Sequence, residues 1–201
     1  FFIYNTDNYY HFIYDSLPIL YSYLAIRRRY NTGNGNGTGT KLKLLMNYSN
    51  GNMKRFYKFV IESLELLDID ISQDIIILDD IDISRTLFSQ IIVSTSYTHD
   101  TDSNQPPRKE IFQLYNQMKA KTHVLRNRNE NSILELPKKL YISRRTWIHN
   151  DLSNIGTNYT TRRKIINENE MVSLLVSEYG YSEIFTENMS MIDKILLFSN
   201  A

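Results

Sequence analysis

Hydrophobic and polar positions follow two different spacings along this chain, and together they predict a mixed fold. Some segments place apolar residues at helical spacing, whereas others are short β-branched runs that are typical of buried strands. Because such helices and strands alternate, we expect an α/β architecture. The predicted helices are 8–30, 54–67, 108–124, 168–179 and 190–200, and the predicted strands are 41–47, 74–78, 81–84, 90–94, 140–143 and 181–185. Ser190 is the expected N-cap of the last of these helices.

The same pattern divides the chain into two predicted domains, 1–130 and 131–201. The charged, Asn-rich stretch 126–132 is the expected linker, and the low-complexity run 31–40 (NTGNGNGTGT) is an expected surface loop, because it cannot bury enough apolar surface to order itself. Pro18 is expected to kink or restart the first helix, since proline cannot donate to the preceding turn. The second domain holds only two strands and two helices, so we expect it to be incomplete and the chain to be a piece of a longer protein.

Composition and charge exclude several classes of function. The chain has 201 residues, with 23 Lys and Arg against 22 Asp and Glu, and this balance argues against a nucleic-acid partner held by phosphate neutralisation. The absence of Cys from the sequence excludes a disulfide scaffold, a thiolate zinc site and a cysteine nucleophile within it. No apolar run approaches the roughly 18–20 residues that span a bilayer, so we expect no membrane helix in this stretch.

Four motif-like stretches stand in a fixed order along the chain. Residues 8–18 read N-x-x-H-x-x-x-D-x-L-P, residues 59–78 form an apolar helix followed by a hydrophobic strand, and residues 141–145 read Y-I-S-R-R. Residues 163–181 contain R-x-x-x-N-E-x-E followed by Y-G-Y. In this order and spacing, the four stretches resemble glycosyltransferase family 61 over essentially the whole chain. The final helix, 191–201, is also similar to the family's, although it has Asp193-Lys194 where the family usually has Glu-Gln.

The resemblance implies a fold and an activity. The fold would be of the GT-B type, with two Rossmann-like lobes, an acceptor-side lobe first and a nucleotide-sugar lobe second. The second lobe would be truncated here, because the family's Gly/His-rich donor loop would fall beyond Ala201. The activity would be inverting transfer of a sugar from a UDP-linked nucleoside-diphosphate donor to a hydroxyl of a glycan or glycoprotein. No metal and no other cofactor would be required.

Without a metal, cationic side chains and helix N-termini must hold the donor diphosphate. Three arginines of the second lobe are the candidates, and two further residues have supporting roles. Arg144 and Arg145 follow a predicted strand, where open α/β sheets place their ligands, and the arginine fork suits phosphate oxygens. Consecutive strand side chains point to opposite sides, so we expect one of the two to reach the donor. Arg163 lies in a basic run before a helix, with Asn167 as the expected N-cap and Glu168 as the expected partner of the helix dipole.

The first helix carries a candidate catalytic pair. His11 and Asp15 are four residues apart and therefore share a helix face, and Asn8 extends the polar stripe. A carboxylate that orients an imidazole raises its basicity, which makes this pair a credible general base for the acceptor hydroxyl. In the family this stripe would face the cleft between the lobes. Either His11 or Asp15 could be the base.

Two other functions remain open at this point. The chain could be a non-catalytic module that binds a glycan or a protein partner after losing catalysis. It could also be a metal-dependent GT-A enzyme, since D-x-D sequences occur at Asp68–Asp70 and Asp80–Asp82. The ordered resemblance argues against the second of these.

The expected cellular location depends on whether the relatives of this chain are eukaryotic or bacterial. N-glycosylation sequons at Asn36, Asn47, Asn158 and Asn188 permit a secretory compartment but arise readily in a chain this rich in Asn, Ser and Thr. Eukaryotic relatives would imply a Golgi or ER lumen, with a membrane anchor upstream of Phe1. Relatives of bacterial type would imply a cytoplasmic enzyme.

Overall fold

The computed structural model describes residues 1–31, 41–95, 97–98, 108–128, 136–143, 165–186 and 189–201. The chain packs as two compact units, Phe1–Met118 and Lys119–Ala201. Helices and strands are mixed in both units, which confirms the α/β class. The predicted loop 31–40 lies outside the described residues apart from Asn31, which ends a helix.

Short elements build each unit within these described ranges, and none of the helices there is long and apolar enough to cross a membrane. The first unit contains α1 (Tyr9–His11), a π-helical segment (Phe12–Ser16), α2 (Leu20–Asn31), β1 (Leu44–Met46), α3 (Lys58–Leu66), α4 (Ile71–Asp74), β2 (Ile75–Ile77) and the start of α5 (Lys109–Arg128). The second unit contains the rest of α5, β3 (Leu140–Ile142), α6 (Glu168–Tyr179), β4 (Ser182–Ile184) and α7 (Met191–Asn200). The first helix is interrupted before α2, as Pro18 predicts.

Parallel extended segments form the centre of the first unit. β1 pairs with β2 in parallel, with Leu44 opposite Ile75, and the chain start pairs with the other side of β1 through Phe2 and Leu45. The Ile3 N–H donates to the Leu45 carbonyl at 2.9 Å. Because the three segments run in the same direction, their carboxyl ends meet at one edge, and the first of them leads directly into the helix that carries the candidate catalytic pair.

The helix that carries this pair is fixed by core packing. Phe12, Leu17 and Leu20 have no exposed surface, and the Phe12 ring lies 5.6 Å from the ring of Phe59 on α3. Fully burying side chains of this size contributes about 1.5–3 kcal/mol each relative to exposure. The exposed side of the same helix is therefore held at a defined orientation by its buried side.

Two predicted strands are wrong. Residues 81–84 form a turn instead, because the Asp82 carboxylate accepts a hydrogen bond from the Ser84 N–H at 3.0 Å and starts the 3₁₀ segment Ile83–Arg85. Residues 90–94 are irregular, with Ile91 and Val93 exposed. The Phe2 N–H donates to the Ile92 carbonyl at 3.1 Å, but among the described residues this contact with the chain start is not continued as a strand pairing.

The predicted linker is also partly wrong. Residues 126–128 belong to α5, which runs four residues beyond the predicted end at 124, and residues 129–132 lie outside the described ranges. Arginine in the last turn favours such an extension, because cations stabilise the negative end of the helix dipole. The division between the two units falls inside this helix, between Met118 and Lys119, whereas the sequence predicts a boundary after residue 130.

The second unit follows the sequence pattern closely. β3 pairs in parallel with β4, and α6 occupies the predicted residues. Gly180 ends α6 with a φ of +66°, a left-handed conformation that glycine adopts without steric strain. The predicted cap of α7 is confirmed, since the Ser190 Oγ accepts a hydrogen bond from the Asp193 N–H at 3.1 Å.

Tyr23, at the centre of the first unit, makes the fold sensitive to alkaline pH. Burial raises the pKa of Tyr23 from 10 to about 12. In the unfolded chain the phenol loses its proton near pH 10, whereas the folded chain retains it, so the free energy of unfolding is expected to fall as pH rises from about 10 to 12. Urea unfolding at pH 9, 10 and 11 measures this slope, and Tyr23→Phe should make it shallower. An identical slope in the variant would assign the alkaline sensitivity to other groups.

Candidate active site

His11 and Asp15 are in direct contact on the first helical segment. Nδ1 of His11 lies 2.8 Å from Oδ2 of Asp15. The Asp15 side chain is 3% exposed, whereas that of His11 is 51% exposed. Asn8 caps the segment, since its Oδ1 accepts a hydrogen bond from the His11 N–H at 3.2 Å. The two residues of the predicted pair are thus in contact in the structure. Asn8 caps the start of the helix that carries them.

The second carboxylate oxygen of Asp15 also has a partner. The Thr98 hydroxyl donates to Oδ1 of Asp15 at 3.3 Å. With bonds from both His11 and Thr98, the carboxylate is held in one orientation, and it holds the imidazole in turn. Thr98 is 83 positions away along the chain, so no local pattern in the sequence could have identified it.

The helix around this pair has π-helical geometry. The Leu17 N–H donates to the Phe12 carbonyl at 2.7 Å, five residues back. In that register the Ile13 carbonyl would receive its bond from residue 18, which is Pro18 and has no N–H. The Tyr115 hydroxyl on α5 supplies the missing donor at 2.6 Å. The irregular segment is therefore stabilised from outside, and π-helical turns of this kind are frequent at functional sites.

Polar residues collect at the carboxyl ends of β1 and β2. Asp79 accepts hydrogen bonds from the Asn47 side chain at 3.1 Å and from the Tyr48 N–H at 2.7 Å. Asp80 accepts from the Tyr48 hydroxyl at 2.6 Å and from Lys54 at 3.2 Å. The Tyr48 hydroxyl, and to a lesser extent the Lys54 ammonium, hold the pKa of Asp80 below its usual value. These bonds fasten the ends of the two strands to each other.

The D-x-D aspartates serve separate local bonds. Asp70 caps α4 by accepting from the Ser72 and Gln73 N–H groups, and its hydrogen bond from the Ser72 hydroxyl lowers its pKa. Asp82 caps the turn described above. Within the described ranges, no group of three His, Asp or Glu side chains is placed to hold a metal ion.

In the second unit, Glu168 lies in the first turn of α6 as predicted, and it also makes a buried contact that the sequence did not predict. It is buried at the start of α6, where its Oε1 accepts from the Ser143 hydroxyl at 2.8 Å and from the Tyr141 hydroxyl at 3.0 Å. It therefore ties α6 to the carboxyl end of β3. Asn167 is not the predicted side-chain cap, because its side chain makes no capping hydrogen bond and its backbone is not in the extended conformation of an N-cap.

The predicted diphosphate-binding arginines Arg144, Arg145 and Arg163 lie outside the described residues. Their assignment stays a prediction. The described residues nearest to them in sequence are Ser143 and Ile165, and Ser143 is the residue that Glu168 binds. The motif Y-I-S-R-R thus includes two hydroxyl residues, Tyr141 and Ser143, whose contact with Glu168 the sequence pattern does not predict.

Comparisons with known proteins bear on the whole chain. A search of curated proteins and a search of solved structures each found no match. The family model for glycosyltransferase 61 matches residues 9–201, a range that starts at α1 and includes both the His11–Asp15 pair and the Glu168 contact. The chain belongs to the glycosyltransferase 61 family.

Proposed function

We propose that the protein is an inverting glycosyltransferase that moves a sugar from a nucleoside-diphosphate donor, UDP-linked, to a hydroxyl of a glycan or glycoprotein. The observation that carries this proposal is the 2.8 Å contact between a half-exposed histidine and a buried aspartate on the first helix. Membership of the glycosyltransferase 61 family supports the general class of activity.

The His11–Asp15 contact has the geometry of a general base and its orienting group. When Asp15 is ionised it can only accept, so the Nδ1 of His11 carries the proton and Nε2 is the basic nitrogen. Nε2 then takes the proton of the acceptor hydroxyl. The acceptor oxygen bonds to the anomeric carbon on the face opposite the leaving group, the bond from that carbon to the diphosphate oxygen breaks, and its electron pair leaves with the diphosphate. This single displacement inverts the anomeric configuration.

The departing diphosphate needs positive charge on the second lobe of a GT-B fold. We assign this task to Arg145 with Arg163, and we assign Arg144 to support of the lobe. Arginine binds two phosphate oxygens at once and stays charged throughout the reaction. Glu168 contributes indirectly, because it fixes the strand end from which Arg144 and Arg145 continue. No metal ion takes part in this scheme.

A nucleotide-release assay on the full-length protein tests the proposal. UDP-, GDP- and CMP-sugars are offered with a mixture of glycan and glycoprotein acceptors, with and without EDTA. We expect release from one donor that depends on the acceptor and is unchanged by EDTA. Loss of release in EDTA would favour the metal-dependent alternative at Asp80 and Asp82. If protein with a folded circular dichroism spectrum releases no nucleotide from any of these donors, a non-catalytic binding module would be favoured.

A further inference from the structure

Two tyrosines form an exposed aromatic surface beside the candidate base. Tyr10 is 62% exposed and Tyr14 is 44% exposed. Their rings are stacked, with centroids 5.4 Å apart and planes 15° apart. The edge of the Tyr10 ring also meets the His11 imidazole, with centroids 5.5 Å apart. The aromatic surface and the base are therefore neighbours on one exposed side of the helix.

The helix places these rings outward for a clear reason. Phe12 and Asp15, on the opposite side of the segment, are buried. The core therefore fixes which side of the segment faces solvent. The segment is stabilised by the two bonds described above, one from the Thr98 hydroxyl to the Asp15 carboxylate and one from the Tyr115 hydroxyl to the Ile13 carbonyl. Two large rings held rigidly in water are an exposed apolar feature at a candidate site, and this is typical of ligand binding.

The size of the surface limits what can bind there. A tyrosine buries at most about 150–250 Å² of surface, so two partly exposed rings offer far less than the roughly 800 Å² per partner of a stable protein interface. One hexose ring is of the right size. The C–H groups on one face of a neutral pyranose carry partial positive charge, and the face of an aromatic ring is the negative part of its quadrupole.

We propose that Tyr10 and Tyr14 form the acceptor subsite, on which a neutral pyranose ring of a glycan acceptor stacks beside His11. This inference rests on the proposed function and specifies its acceptor as a glycan rather than a peptide hydroxyl. Because the two rings are stacked on each other, the sugar lies on the outward face of the Tyr10 ring. Its equatorial hydroxyls then reach the edge of that ring, where the neighbouring His11 imidazole can take a proton. Stacking thus orients the acceptor, and His11 activates it.

Direct binding tests the subsite without relying on turnover. The full-length protein is applied to an array that carries neutral oligosaccharides and Ser/Thr peptides without sugar, and the best oligosaccharide is then titrated against the protein. We expect Tyr10→Ala to raise the Kd for that oligosaccharide about tenfold, because one face of the stack is lost. Tyr10→Phe, which retains the ring, should bind like the original protein. Tyr30→Ala is the matched control, since Tyr30 is 48% exposed on α2 and lies outside the aromatic pair.

The outcomes separate this inference from the proposed function. Unchanged oligosaccharide binding in Tyr10→Ala, no oligosaccharide binding by the original protein, or binding confined to the peptides would each overturn the subsite. Thermal unfolding of Tyr10→Ala checks that a weaker Kd does not come from lost structure. Nucleotide release measured in parallel reports on transfer itself. If the protein transfers sugar but Tyr10→Ala leaves oligosaccharide binding unchanged, the subsite alone is rejected. If oligosaccharide binding depends on Tyr10 but no sugar is transferred, the enzymatic function alone is rejected.

Discussion

Replacing His11 by alanine is expected to lower kcat for sugar transfer by about 10²–10⁴-fold, the usual contribution of a positioned general base. The imidazole would take the acceptor proton at Nε2 while Asp15 holds Nδ1 at 2.8 Å. The folded structure should survive the change, because half of the His11 side chain is exposed, the core packing of Phe12 is untouched and Asp15 keeps its bond from Thr98. The measurement is the initial rate of nucleotide release at saturating donor and acceptor.

Two further variants make this result specific. His123→Ala is the matched control, since His123 is also an exposed histidine on a helix but lies on α5, and its rate should match that of the original protein. Asp15→Asn keeps the shape of the buried side chain and removes its charge. If Asp15→Asn is inactive while His11→Ala retains full activity, then Asp15 is the base and His11 only lines the site. Full activity in both variants would remove the pair from the mechanism.

Replacing Glu168 by alanine is expected to lower the free energy of unfolding by about 1–3 kcal/mol, because two hydrogen bonds contribute roughly 0.5–1.5 kcal/mol each. The lost bonds are those from the Ser143 and Tyr141 hydroxyls to Oε1 of Glu168. Since they join α6 to the end of β3, the variant should also bind the nucleotide-sugar donor more weakly. Urea unfolding measures the first effect, and the KM for the donor measures the second.

Glu170 provides the control for this position. It lies in the first turn of the same helix and is exposed, so Glu170→Ala removes an equal charge from the helix start without touching the buried contact. Its stability should change by less than about 0.5 kcal/mol. If the two variants lose equal stability, then Glu168 acts through the helix dipole, as the sequence alone predicts. The hydrogen bonds to Ser143 and Tyr141 would then make no measurable contribution to the free energy of unfolding.

The helices that were predicted well are those whose signals are local. The periodicity of α6 and the capping serine of α7 depend on residues three or four positions apart, and both appear where the sequence places them. The same is true of His11 and Asp15, which are one turn apart on one segment. In each case a short stretch of chain contains all the interacting groups, so spacing alone is sufficient.

The features that were missed depend on distant partners. Residues 90–94 have the composition of a strand, but a strand also needs a ladder of backbone bonds to a neighbour, and among the described residues the bond from the Phe2 N–H to the Ile92 carbonyl does not extend into one. Thr98 is bound to Asp15 across 83 positions, and Glu168 reaches back 25 positions to Ser143. Asn167 has the right type for a cap, but its backbone takes another conformation. A single sequence, taken alone, contains no record of such pairings between distant residues.

The bond between the Tyr115 hydroxyl and the Ile13 carbonyl also has a consequence for the order of assembly during synthesis. The two residues are 102 positions apart, and at about 5–20 residues per second the ribosome adds Tyr115 roughly 5–20 s after Ile13. During that interval the carbonyl beside the candidate base has no partner from α5. The segment that carries the candidate base can therefore reach its final form only late, after nearly all of the first unit has been synthesised.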